Sequence, residues 1–130
     1  MIKNPCLGSV IIVPVVVTHT IITTEHYQFL FSTIPLSITS FIYHNEIIVG
    51  NNIRNIDMVL AILSYMHHII YFLLYSHQKQ FINIIMLPGL IYIIERIVQP
   101  FGVDIVCNYL HAMVHFALIP CVYLNTMIIY

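Results

Sequence analysis

The stretch IDMVLAILSYMHHIIYFLLYS, residues 56–76, decides the fold. It carries a single formal charge, at Asp57, and runs for the roughly 20 residues that a helix needs to cross the hydrocarbon of a bilayer. Its Ile and Tyr content would favour a strand in a water-soluble domain. A half-buried strand would alternate polar and apolar positions, however, and this run is apolar on every face and too long for a strand, so a helix is predicted.

Four further stretches of the same kind flank it, at about 7–24, 28–44, 81–98 and 104–127. The polar residues collect in the breaks: Glu25-His26-Tyr27, Asn45-Glu46 through Arg54-Asn55, His77-Gln78-Lys79-Gln80, and Gln99-Pro100-Phe101-Gly102. Pro14, Pro35, Pro88 and Pro120 fall inside four of the spans; a bundle tolerates them because neighbouring helices can satisfy the freed carbonyls. Composition agrees. Of 130 residues 60% are hydrophobic and 7% charged, with mean hydropathy +0.94. A soluble domain carries roughly 25% charged residues, so lipid is the expected solvent. The expectation is an all-α, polytopic transmembrane bundle of about five helices, forming one domain over residues 1–130.

Net charge is -1 with no basic run, which gives no support to nucleic-acid binding. Cys6, Cys107 and Cys121 are odd in number, widely spaced and in apolar context, and read as buried thiols. The N-terminal apolar stretch lacks a small-residue cleavage site and reads as a retained signal anchor. With five crossings, Lys3, Arg54 and Arg96 fall on the N-terminal side and Lys79 on the other. That bias predicts a cytoplasmic N-terminus in a multi-pass membrane protein, an endomembrane being one setting for it.

Ionisable residues inside spans are costly and are functional suspects by default. With alternating crossings, the end of the second span (Ser40, His44), the start of the third (Asp57) and the start of the fifth (His111, His115) all lie near the N-terminal-side face. Ser40 and His44 are four residues apart, as are His111 and His115, so each pair shares one helix face. Three imidazoles with an open fourth position suit a catalytic zinc ion, which lowers the pKa of its bound water to about 7. Asp57 is placed to orient that water or take its proton, and Ser40 to donate to a developing oxyanion. Glu95 lies at the same depth and, with Arg96, reads as a snorkelling or mutually paired couple, with a supporting role behind the site layer as the alternative for Glu95. His67 and His68, mid-span, read as structural hydrogen-bonding groups.

Ser40-Phe41-Ile42-Tyr43-His44, Asn55-Ile56-Asp57 and Leu110-His111-Ala112-Met113-Val114-His115 together resemble the three signatures of the alkaline ceramidases: S-F-x-F-H, L-D and L-H-A-x-x-H. That superfamily also includes adiponectin-type receptors. The resemblance implies a zinc-dependent hydrolase that cleaves the amide bond of a ceramide-like lipid within the membrane. It casts His44, His111 and His115 as zinc ligands, Asp57 as the water-activating carboxylate and Ser40 as the oxyanion donor. The family usually has seven spans, so a hairpin is missing here between Asp57 and His111, and the acidic calcium-binding segment has no counterpart. A second copy completing the cavity is one consequence to expect. Two other readings stand beside this one: a non-enzymatic sensor or pore with a structural metal site, and a membrane haem protein using His67 or His68 with His19 or His115.

Overall fold

The computed structural model describes residues 5–45 and 50–127. Lys3 and Glu46, used in the sequence reading, lie outside them. The described residues form five α-helices and no strand: α1 (Pro5–Thr23), α2 (Leu30–His44), α3 (Asn51–Tyr75), α4 (Ile82–Val98) and α5 (Asp104–Thr126). Single 3-10 turns, Tyr27–Phe29, Lys79–Phe81 and Gln99–Phe101, link α1 to α2, α3 to α4 and α4 to α5. Gly102, with φ at 69°, supplies the left-handed residue that lets the chain reverse before α5.

The expected spans and the helices agree closely except at the start of α3. There the helix begins at Asn51, ahead of the apolar run, and takes in Arg54 and Asn55. Hydropathy marks where a helix enters an apolar medium, whereas backbone hydrogen bonding continues into polar sequence that has good helix formers or no breaker. Three segments are long and apolar enough to cross a membrane: Asn51–Tyr75, Lys79–Phe101 and Asp104–Thr126. The apolar part of α1, Gly8–Thr23, is shorter, and α2 has 15 residues.

Around the bundle, α2 packs between α3 and α1, α5 lies against α1 and α4, and α3 touches α4 and α5 to close the ring. The outer surface is apolar: Phe31 is 88% exposed and Ile105 74%, and Val15, Leu63, Leu74 and Ile97 also face outward. A water-soluble monomer rarely shows contiguous apolar surface on that scale. The three long helices and this exterior fit a membrane protein. Inside, one core cluster joins Val13, Val17 and Ile21 of α1 to Phe29, Tyr71 and Val122. A second joins Phe72, Ile85 and Cys121.

At Pro88 the freed carbonyl is met from a neighbouring helix. Pro88 has no N–H for the carbonyl of Ile84, and the Sγ of Cys121 lies 3.4 Å from that oxygen. One residue on, the hydroxyl of Tyr65 is inserted into the backbone ladder of α4. It donates to the Ile85 carbonyl at 2.9 Å and accepts from the Gly89 N–H at 3.3 Å. Gly89 permits that approach, because a Cβ there would stand 2.9 Å from the tyrosine oxygen. An inserted side chain of this kind is a recognised origin of helix bending.

Removing the inserted hydroxyl therefore leaves a carbonyl and an N–H without their partner. Tyr65→Phe is expected to destabilise the bundle by about 1–3 kcal/mol, read as a lower thermal midpoint of the detergent-purified protein. Gly89→Ala, which pushes the ring outward, should lower it as well, whereas substitution at the outward-facing Leu63 should not.

Candidate metal centre

Five helices contribute to one polar layer. α2 ends on His44, and its preceding turn carries Thr39 and Ser40. α3 brings Asp57 from its second turn, α5 brings His111 and His115 from its second and third, and α4 brings Glu95 from its last. α1 adds Ser9, which is fully buried. The meeting of helix ends with helix beginnings requires α1 to α5 to alternate in direction, as the short connections demand.

His44, His111 and His115 each offer a ring nitrogen, and these three atoms lie within 4.8 Å of one another. The ring centroids are 5.1 Å apart for His44 and His111, 5.6 Å for His44 and His115, and 4.8 Å for His111 and His115. Together they form a group that could hold a metal ion. Nitrogens at about 2.1 Å from a tetrahedral ion stand about 3.4 Å apart, so the widest separation has to shrink by up to about 1.4 Å for the rings to close around one. The Nε2 atoms of His44 and His111 are buried without a hydrogen-bond partner. Buried polar atoms are ordinarily satisfied, and a cation at the centre of the three rings would satisfy both. The donor set fits.

Beside the imidazoles, Asp57 is held by two hydroxyls of α2. Ser40 Oγ donates to its Oδ1 at 2.5 Å and Thr39 Oγ1 donates to the same oxygen at 3.1 Å. These bonds fix the carboxylate and leave Oδ2 unused by them. Ser40 and Asp57 thus form one hydrogen-bonded unit, where the sequence reading had assigned them separate tasks.

Ser40, Asp57, His111 and His115 line one end of a partly open cavity of about 170 Å³. The cavity runs between the helices past Val13, Tyr65 and Leu118 to His68 and Val122. Asp57 and His68 are eleven positions apart on α3, or roughly 16 Å at the helical rise of 1.5 Å per residue. Its walls are overwhelmingly apolar. His44 stands behind the lining, at the edge of the group.

The remaining histidines lie elsewhere. His68 closes the far end, its Nδ1 3.1 Å from Asn125 Nδ2, with Phe29 stacked on its ring at 4.5 Å. His67 is 3.4 Å from the Ser32 hydroxyl. His19 is exposed. Glu95 and Arg96 do not pair with each other. The Glu95 carboxylate contacts His111, at 3.1 Å from Nδ1 to Oε2, while Arg96 donates to Tyr92 Oη and Gln99 Oε1, both at 2.9 Å. Consecutive helical residues point about 100° apart and do not face each other.

Ser9 carries a role that sequence reasoning missed. Nothing in a serine within an apolar run distinguishes it, and only the packing of α1 on α5 brings its hydroxyl to 2.8 Å from His115 Nδ1. Compared with known proteins, the chain matches no family model, no curated protein and no solved structure.

The metal-binding capacity is directly measurable. The detergent-purified chain is expected to take up one divalent ion, scored with Co²⁺ or Zn²⁺ by elemental analysis. His111→Ala and His115→Ala should lose it, and His19→Ala should keep it.

Proposed function

We propose that this chain is an integral-membrane, zinc-dependent hydrolase that cleaves the amide bond of a ceramide-like lipid, a shortened relative of the alkaline ceramidases. One observation carries the reading: three convergent imidazoles stand beside a hydroxyl-held carboxylate, at the end of a long apolar cavity. The residues that meet there are the ones through which the sequence resembles that family. An apolar cavity ending in a few convergent polar groups is also what a single-chain lipid tail with a reactive carbonyl requires.

His44, His111 and His115 would hold the zinc, with a fourth position left for water. When bound there, the ion supplies a water acidified to about pKa 7 and a Lewis acid for the carbonyl. The remaining work falls to the chain. The apolar walls around Val13, Tyr65 and Leu118 take up the acyl tail and exclude bulk water, which sets the amide at the polar end. Asp57 accepts a proton from the attacking water and returns it to the departing amine, so that amide and water become amine and carboxylic acid.

Ser40 couples to that cycle. While Asp57 is ionised, the single hydroxyl proton of Ser40 is directed at Oδ1. Protonation of the carboxylate weakens that bond and frees the hydroxyl to turn towards the developing oxyanion, where preorganised donors contribute most. Thr39 keeps Asp57 in register meanwhile. Arg54 and Arg96 lie on the same side of the bundle as the polar layer and Lys79 on the other, and by the positive-inside rule the site then faces the cytosol.

The test is release of free fatty acid from ceramide by the zinc-loaded protein in detergent. Asp57→Asn keeps an acceptor for Ser40 but no base, and is expected to lower the rate by about 10²–10⁴-fold with zinc still bound. Ser40→Ala should cost less. Zinc bound by wild type without release from ceramide would defeat the amidase reading in favour of a sensor or pore with a structural metal.

A further inference from the structure

The two histidines of α5 are each gripped on the side away from the other rings. His115 Nδ1 lies 2.8 Å from Ser9 Oγ, and Ser9 Oγ in turn lies 2.8 Å from the carbonyl oxygen of Cys6. A carbonyl can only accept, so the one hydroxyl proton of Ser9 belongs to the Cys6 contact. The oxygen of Ser9 must then accept, and the proton between it and His115 sits on Nδ1. This is the assignment that puts a proton in each of the two close contacts. His111 obeys the same logic with a different acceptor. Its Nδ1 faces both oxygens of Glu95, at 3.1 Å and 3.3 Å. A carboxyl proton would single out one oxygen, whereas a ring N–H set between the two donates to both, so the ring nitrogen is taken as the donor. Glu95 is itself buried, on a helix that contributes no histidine to the group.

We propose that Ser9 and Glu95 are positioning residues that fix the tautomers of His115 and His111, so that both rings turn an unprotonated Nε2 towards a common metal ion. The two imidazoles then differ by design. His111 is backed by a carboxyl group and His115 by a hydroxyl. Ligand rings are commonly held through their second nitrogen by a carboxylate, a carbonyl or water. Here the two grips come from the two helices that flank α5, α1 and α4. The consequence is that the first helix, which provides no ligand, takes part in the site. The proposal rests on the metal reading of the three histidines and is independent of which bond, if any, the site cleaves.

Two measurements test it. In the metal-free wild-type protein labelled with ¹⁵N-histidine, at a pH where the rings are neutral, nitrogen–proton correlation spectra report the tautomer of each ring. Two imidazoles are expected as the Nδ1–H form, one losing that preference in Ser9→Ala and the other in Glu95→Gln. Co²⁺ affinity, followed by the absorption of the bound ion, should fall on the order of 10–100-fold in each variant. Thr126→Ala, which removes a buried hydroxyl eleven positions beyond His115 on α5, should leave it unchanged. His111 and His115 found as Nε2–H in the wild type would overturn the proposal, as would wild-type affinity in both variants. Should either variant fail to fold, the wild-type spectrum decides alone. A wild type that takes up no Co²⁺ defeats the metal reading and this proposal together, whereas normal uptake with no amide cleavage defeats only the amidase.

Discussion

An ionisable side chain withdrawn from water into an apolar bundle must find its partners inside that bundle, and in this chain the partners come from five different helices at one level. Asp57 on α3 takes its two hydroxyls from α2. His111 and His115 on α5 take theirs from α4 and α1. Unsatisfied, each such group would cost several kcal/mol in a medium without water. The layer therefore does more than bring polar groups together: with the Tyr65 and Asn125 hydrogen bonds further along the bundle, it helps to specify which helix neighbours which, and at what height. Buried polar groups have that registry role in other helical assemblies.

Much of this was legible in the sequence, and the illegible part has a physical cause. Span positions follow from hydropathy, and the alternation of crossings puts His44, Asp57, His111 and His115 at one depth before any coordinates are known. Spacing of four adds that His111 and His115 share a face. Depth and face within one helix are local quantities. Azimuth, the direction in which that face turns relative to other helices, is set by packing between segments far apart in the chain. Ser9 and His115 are separated by 106 positions, and nothing local in either relates them. The same limit explains Glu95: its depth was readable, but its direction, towards His111 and away from Arg96, was not. The early start of α3 was missed for the opposite reason, since Asn51 to Asn55 form helix without being apolar.

The two ends of the cavity differ in character. At one end hydroxyls, imidazoles and a carboxylate stand around a space; at the other, His68 is occupied by Asn125 and covered by Phe29. Histidines alone would have suggested two equivalent clusters. What separates them is that Asn125 occupies His68 Nδ1 at the far end, whereas the Nε2 atoms of His44 and His111 are buried without hydrogen bonds. Between these ends the inserted Tyr65 hydroxyl ties α3 to α4 along the cavity wall, so the wall is braced by a backbone-directed bond as well as by packing.

The seam between α1 and α5 has a bearing on how the molecule is made. Of the five helices, α1 leaves the ribosome first and α5 last, and every other helix is synthesised between them. A nascent chain holding only the first four has the Asp57 clamp, Ser9 and Glu95 but neither of the paired imidazoles that they receive. The group of three imidazoles is therefore complete only once α5 has packed between α1 and α4 and closed the ring of helices.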